Sequence, residues 1–185
     1  HELSLESYEE IKRGEILVFE ELFRTADGKD AARGKAYAYF AQPWSTNWAI
    51  LTDYYAQQEN MPRVATSEVV KREGSKVWVK FEMEVLWVDL AWVIQQSKDE
   101  EAHEIRFLLD HSYQDVNSID DTQGSWEFIP VEGGKATVVV YRVFVDTGYA
   151  VPDFILSYLT RKDLPDVLGN LRKRVGSGGK WRKSD

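Results

Sequence analysis

The stretch Lys76–Trp87, KVWVKFEMEVLW, limits what this chain can fold into more than any other. Val77, Val79, Phe81, Met83, Val85 and Trp87 are apolar, while Lys80, Glu82 and Glu84 take the alternate positions. Successive side chains on a strand point to opposite faces, so this period of two predicts a β-strand with one buried and one wet face. A half-wet strand belongs to an antiparallel sheet, because all-parallel sheets are covered on both sides.

Comparable runs surround it. Residues from Glu15 (EILVFEELF) and from Gly34 (GKAYAYFA) predict a hairpin or one long bent strand pair. Val64–Lys71, Leu90–Gln96 (LAWVIQQ), His103–Asp110 (HEIRFLLD), GSWEFIPV and KATVVVYRVFVDTG supply further strands. Short polar links such as SKDEEA and the pair Gly133–Gly134 join them, and links of that length make a meander of hairpins. A sheet of about six to seven strands is expected.

Two regions carry helical spacing instead. In QPWSTNWAILTDYYAQQENMP, Pro43 suits a first helical turn and Trp44, Trp48 and Leu51 share a face. Asp53 is placed to cap a second short helix through Tyr54, Tyr55 and Gln58, ending at Pro62. Near the C-terminus, VPDFILSYLTRKDLPDVLGNLRKRV puts Phe154, Ile155, Tyr158 and Leu159 on one stripe that Val167, Leu168, Leu171 and Val175 continue. Pro165 is expected to kink or split that helix, with Asp163 capping the second piece. Leu3, Leu5, Tyr8 and Ile11 suggest a short helix in an N-terminal arm, residues 1–14. The end, GSGGKWRKSD, reads as a flexible basic tail over 176–185. The expected organisation is one α+β domain over 1–175.

Composition narrows the function classes. A chain of 185 residues supports one sizeable core. Its net charge of −8, from 23 basic and 31 acidic residues, would be repelled by phosphates, so no nucleic-acid partner is expected. No apolar run approaches the roughly 20 residues of a membrane-spanning helix. With no Cys there is no thiol nucleophile and no thiolate metal site, and no His or acidic spacing suggests another metal site; no metal or cofactor is expected. A chain beginning at His1 reads as processed or trimmed, and the lack of Cys fits cytoplasm and periplasm alike.

Three segments together resemble one known superfamily. They are AYFAQPWSTNWAILTDYYAQQENMPRVATSEVV, then GSWEFIPVEGGKATVVVYRVFVDTG, then the Pro-initiated helix ending in LGNLRKRV. Their order and spacing over roughly Gly34 to Val175 resemble the START-like (SRPBCC) superfamily, with its helix-grip or birch-pollen-allergen fold. The bacterial branch grouped with polyketide cyclases and coenzyme Q-binding START-type proteins looks most similar. The resemblance implies a curved antiparallel sheet, two short helices after the first strand, and a long C-terminal helix that the sheet grips. It does not name a ligand, because one fold serves many functions.

A strongly bent sheet covered by one helix leaves space that its own side chains do not fill. Aromatic residues, 13% of the chain with seven Trp, suit the walls of such a space. The inward strand positions Phe81, Met83, Val85, Trp92, Phe107, Trp126, Phe128 and Tyr141 are the ligand-binding candidates, together with Phe154, Tyr158 and Leu159 on the helix. For each alone, plain core packing is the simpler reading. Tyr141 adds a hydroxyl that can orient a polar group of a ligand.

Other polar residues read as structural. Arg106 and Arg142 alternate out of phase with the inward set, Glu82 and Glu84 share the wet face with Lys80, and His103 and His111 are strand residues that form no matched pair. Gly169 can let the last helix approach a neighbour closely. No catalytic residue is assigned.

The sequence therefore favours a non-catalytic binder or carrier of a lipid, quinone or polycyclic compound. An aromatase/cyclase-type enzyme, or an interaction module with an unused cavity, are the alternatives. An enzyme requires an Arg, His or carboxylate deep in the pocket. The basic tail with Trp181 can touch an anionic membrane surface peripherally.

Overall fold

The computed structural model describes residues 3–85, 87–148 and 153–183; the side chains of Asp30 and of residues 153–160 lie outside that description. Helix α1 (Leu5–Lys12) is followed by strands β1 (Leu17–Arg24) and β2 (Asp30–Phe40), helix α2 (Trp44–Leu51) and a 3-10 helix (Tyr54–Glu59). Strands β3 (Val64–Glu73), β4 (Lys76–Val85), β5 (Val88–Asp99), β6 (Glu104–Leu109), β7 (Asp121–Val131) and β8 (Ala136–Asp146) precede the long helix α3 (Asp153–Gly176). All neighbours in the sheet are antiparallel, in the order β1-β2-β8-β7-β6-β5-β4-β3. This is the helix-grip arrangement, with eight strands rather than six or seven. The added count comes from the first hairpin, both halves of which are full strands, so the two short helices follow the second strand.

The period-two pattern of β4 survives folding. Val77, Val79, Phe81 and Val85 are buried on the inner face, joined by Leu90, Trp92, Ile94, Ile105, Phe107 and Leu109 from the neighbouring strands. Trp87 departs from it, because β4 ends at Val85 and the turn to β5 leaves the indole 75% exposed. The outer face is not uniformly wet either. Trp78 and Val93 are buried there, and the Trp78 indole N–H donates to the Asp110 carboxylate at 2.7 Å. Elsewhere that face is polar, with Lys80 paired to Glu82, Arg106 to Glu104 and Arg142 to Glu127.

Curvature has local causes. Register shifts in β3, between Val64 and Thr66 and between Val69 and Lys71, add residues to one strand and tighten its twist. Gly124 on β7 has no room for a side chain, since a Cβ there would run into the Arg142 carbonyl oxygen. On the outer face α1, capped by the Ser4 hydroxyl, seats Ile11 against Tyr37, Val138 and Val140.

Helix α3 remains one helix through Pro165 and is not split there. Asp163 is not a cap; its carboxylate accepts from the Arg63 guanidinium instead. Asp53 likewise makes no capping bond from its side chain to the 3-10 helix. A Cβ on Gly169 would sit 3.7 Å from Ile16, an ordinary contact, so close approach does not require glycine at that position. The carboxyl half of α3, through Leu164, Val167, Leu168, Leu171 and Val175, packs into the same core as α2 and the sheet.

Residues 177–183, in the stretch whose composition reads as a flexible basic tail, make bonds to the rest of the fold. The guanidinium of Arg174, only 1% exposed, donates to the Gly179 and Trp181 carbonyls, and Lys173 lies over the Trp181 ring. The Lys183 ammonium donates to three backbone carbonyls, those of Gln58, Met61 and Val64. The end of α3 itself is capped by the Gly178 N–H, which donates to the Val175 carbonyl, and by the Gly179 N–H and Ser177 hydroxyl, which both donate to the Arg174 carbonyl.

Candidate functional site

A cavity of about 210 Å³ lies between the inner face of the sheet and α3. Its wall is built strand by strand from alternate positions: Phe81 and Met83 on β4, Leu90, Trp92, Ile94 and Gln96 on β5, Phe107 on β6, and Trp126 on β7. Tyr141, Val143 and Val145 continue it on β8 and Ala32 and Gly34 on β2, while Asp163, Leu164 and Val167 on α3 close it from above. The chain between the 3-10 helix and β3 adds Asn60, Met61 and Pro62. Leu164 reaches toward β2 because Gly34 has no side chain; a Cβ there would come within 2.6 Å of Leu164 Cδ2.

Aromatic rings give the wall its shape. Trp126 stacks on Tyr141 with ring centres 4.3 Å apart, Phe107 flanks the same tyrosine at 6.2 Å, and Phe81 leans on Trp92 at 5.6 Å. Rings held this way present flat, rigid, apolar surfaces.

Six of the sequence candidates, Phe81, Met83, Trp92, Phe107, Trp126 and Tyr141, are thus placed together on the wall. Val85 and Phe128 are buried in the core beside it without lining it; Phe128 is taken up by an edge contact with Trp48 of α2. The side chains of Phe154, Tyr158 and Leu159 lie outside the described residues. His103 is not a strand residue. It sits in the turn before β6 with φ 51°, stacked at 3.8 Å on Trp44.

Polar wall groups are few and were mostly missed in the sequence. Gln96 lies in phase with Leu90, Trp92 and Ile94, so alternation alone could have found it. Its carboxamide exchanges two hydrogen bonds with Gln57, at 3.0 and 2.6 Å, and Gln57 also donates to the Leu51 carbonyl. Asn60 is 1% exposed, and neither its side-chain oxygen nor its nitrogen has a hydrogen-bond partner among the described residues. An unpaired buried amide costs about 1–3 kcal/mol. The Tyr141 hydroxyl makes no hydrogen bond with the described residues, and burial pushes it well above the usual tyrosine range.

Among the described residues, one carboxylate stands on the wall. Asp163 accepts from Arg63 Nε at 2.8 Å, joining α3 to the residue just before β3. Burial pushes its carboxyl above the ordinary aspartate value, and the Arg63 charge offsets part of that rise. The sequence marks this residue only as a cap for a helix piece at Pro165, two positions on, and not as part of a site.

A family model described as polyketide cyclase / dehydrase and lipid transport matches residues 41–172. The chain belongs to that family. No curated protein matches it by sequence. Among solved structures, this family member is similar to the STAR-related lipid transfer protein from Xanthomonas axonopodis, with a TM-score of 0.68 and 17% identity over 85% of this chain and 98% of that one. It is also similar to a protein from Thermus thermophilus (TM-score 0.66, 21% identity, 79% of this chain and 98% of that one). A third is the Zhui aromatase/cyclase from a Streptomyces species (TM-score 0.61, 13% identity, 89% and 94%). At such identities the likeness is one of fold.

Proposed function

We propose that this family member binds and carries a hydrophobic small molecule in the cavity between sheet and α3. The observation that carries the reading is the cavity itself, walled by ordered rings and aliphatic side chains around about 210 Å³. A ligand that buries apolar area there gains about 25 cal/mol per Å². An engineered cavity of about 150 Å³ already takes up benzene. One or two fused rings, or a segment of a chain, suit the space here. The family's description as lipid transport supports the same reading.

Native mass spectrometry of the intact protein purified from its own host tests this. A co-purifying apolar molecule, released by solvent extraction, is the expected result. Empty protein, unmoved in thermal stability by a panel of lipids, quinones and aromatic compounds, would rule the reading out.

A second reading rests on Asp163. A carboxyl with a raised pKa on a cavity wall can take a proton from an acidic carbon or return one to a departing hydroxyl, the chemistry of cyclisation and dehydration. The family's other description, polyketide cyclase / dehydrase, points the same way. In that case Asp163→Asn abolishes turnover of a poly-keto thioester analogue while leaving its binding in place. Equal turnover by the variant removes this reading.

A further inference from the structure

The charges around the cavity say more about the ligand than its shape does. Among the described wall residues Asp163 is the only ionisable acid or base apart from the Tyr141 phenol; none is Lys, Arg or His. The sequence of residues 149–160 (YAVPDFILSYLT), whose side chains lie outside the description, contains no basic residue either. Arg63 is already bonded to Asp163, and the buried Arg174 is bonded to backbone carbonyls of the segment after α3.

An anionic group entering this space would leave water and meet a carboxylate, with no wall cation to receive it. Burial of an unpaired charge is strongly unfavourable in such surroundings. The remaining polar groups of the described wall are neutral: the Tyr141 hydroxyl, the Asn60 carboxamide with both ends unpartnered among the described residues, the Gln57–Gln96 amide pair, Thr147, and Thr122, whose hydroxyl donates to the Phe144 carbonyl. Groups of that kind match an oxygen that accepts or donates one hydrogen bond.

From this census we infer that the buried part of the ligand is uncharged, a ring-sized hydrophobic compound bearing a hydroxyl or carbonyl oxygen and no carboxylate or phosphate. The inference rests on the carrier reading above and narrows it.

Three probes of matched size, naphthalene, naphthol and naphthoate, separate the possibilities when titrated into the full chain at neutral pH. Naphthol is expected to bind at least as well as naphthalene, and naphthoate about a hundredfold more weakly. Naphthoate binding as tightly as naphthol overturns the inference while the carrier reading stands. Failure of all three to bind overturns the carrier reading, and this inference with it.

Two variants sharpen the test. Tyr141→Phe is expected to weaken naphthol about fivefold and leave naphthalene unchanged, a loss typical of one neutral hydrogen bond. Unchanged naphthol binding removes the tyrosine from the site. Asp163→Asn takes away the wall's negative charge while Arg63 keeps its positive one, so naphthoate is expected to gain at least about tenfold. No gain means that Asp163 does not set the charge preference.

Discussion

Asp163 and Arg63 stand a hundred positions apart in the chain, and a 2.8 Å charge-assisted hydrogen bond joins them at the cavity wall. The bond links α3 to the head of β3. Replacing Arg63 by Gln leaves a carboxylate in a half-buried site without its strongest partner. The pair is partly exposed, so the expected loss is about 1–3 kcal/mol, below the 3–5 of a fully buried pair. Urea unfolding at pH 7 measures it. The raised Asp163 pKa fixes the sign of the pH dependence. In the window between the unfolded and the raised folded value the native state holds more protons, so this group's contribution falls as pH rises through it. The variant should show a steeper fall, since the offset from Arg63 is gone.

The segment after α3 braces the cavity from outside. Lys183 caps the carbonyls of Gln58, Met61 and Val64, next to the Asn60–Pro62 part of the wall. Ending the chain after Gly176 removes this cap and the Gly179 and Trp181 carbonyls that receive Arg174, leaving a buried cation without acceptors. A loss of about 2–4 kcal/mol is expected, with faster amide hydrogen exchange at residues 58–64. Exchange unchanged in those residues would mean that the segment does not hold them.

Two glycines separate a backbone clash from a side-chain one. A Cβ at Gly124 meets the Arg142 backbone and, at 2.6 Å, the Phe107 ring; the backbone contact has no easy escape. Gly124→Ala should cost about 3 kcal/mol or more and flatten the sheet locally. At Gly34 the obstacle is the tip of Leu164, which can turn aside into the cavity. Gly34→Ala should cost about 1 kcal/mol and weaken binding of a naphthalene-sized probe. Calorimetric melting of both variants, side by side, checks the ordering.

On the outer face, Asp110 accepts from the Ser112 hydroxyl and backbone and from the Trp78 indole, bonds that hold its carboxyl below the ordinary value despite partial burial. A depressed pKa contributes stability that is present above the unfolded value and lost as pH falls through the folded one. The Trp78 indole N–H resonance should therefore titrate at a pH below 3.8. Titration at or above that value would mean the bond does not form in solution.

Much of the sheet was legible because alternation is a local signal. Phe81, Trp92, Phe107, Trp126 and Tyr141 could be placed on one face from their own strands, before any pairing was known. Trp87 failed that logic because periodicity does not reveal where a strand stops. The pairing of Asp163 with Arg63 was out of reach for a different reason: it arises from the folding of α3 against the start of β3, and from the sequence alone Asp163 reads as a helix cap. The bonds made by Arg174 and Lys183 were not legible, because glycine-rich basic composition after α3 suggests a loose end. Their acceptors are backbone carbonyls, which no sequence pattern marks.

Methyl-resolved NMR of the full chain during titration with naphthalene tests the central claim most directly. Binding in the cavity should shift the methyls of Ile94, Ile119, Val143, Leu164 and Val167, which share its wall, and leave Val138 and Val140 under α1 unmoved. Shifts confined to the outer face, or none at saturating probe, would contradict a hydrophobic ligand held between the sheet and α3.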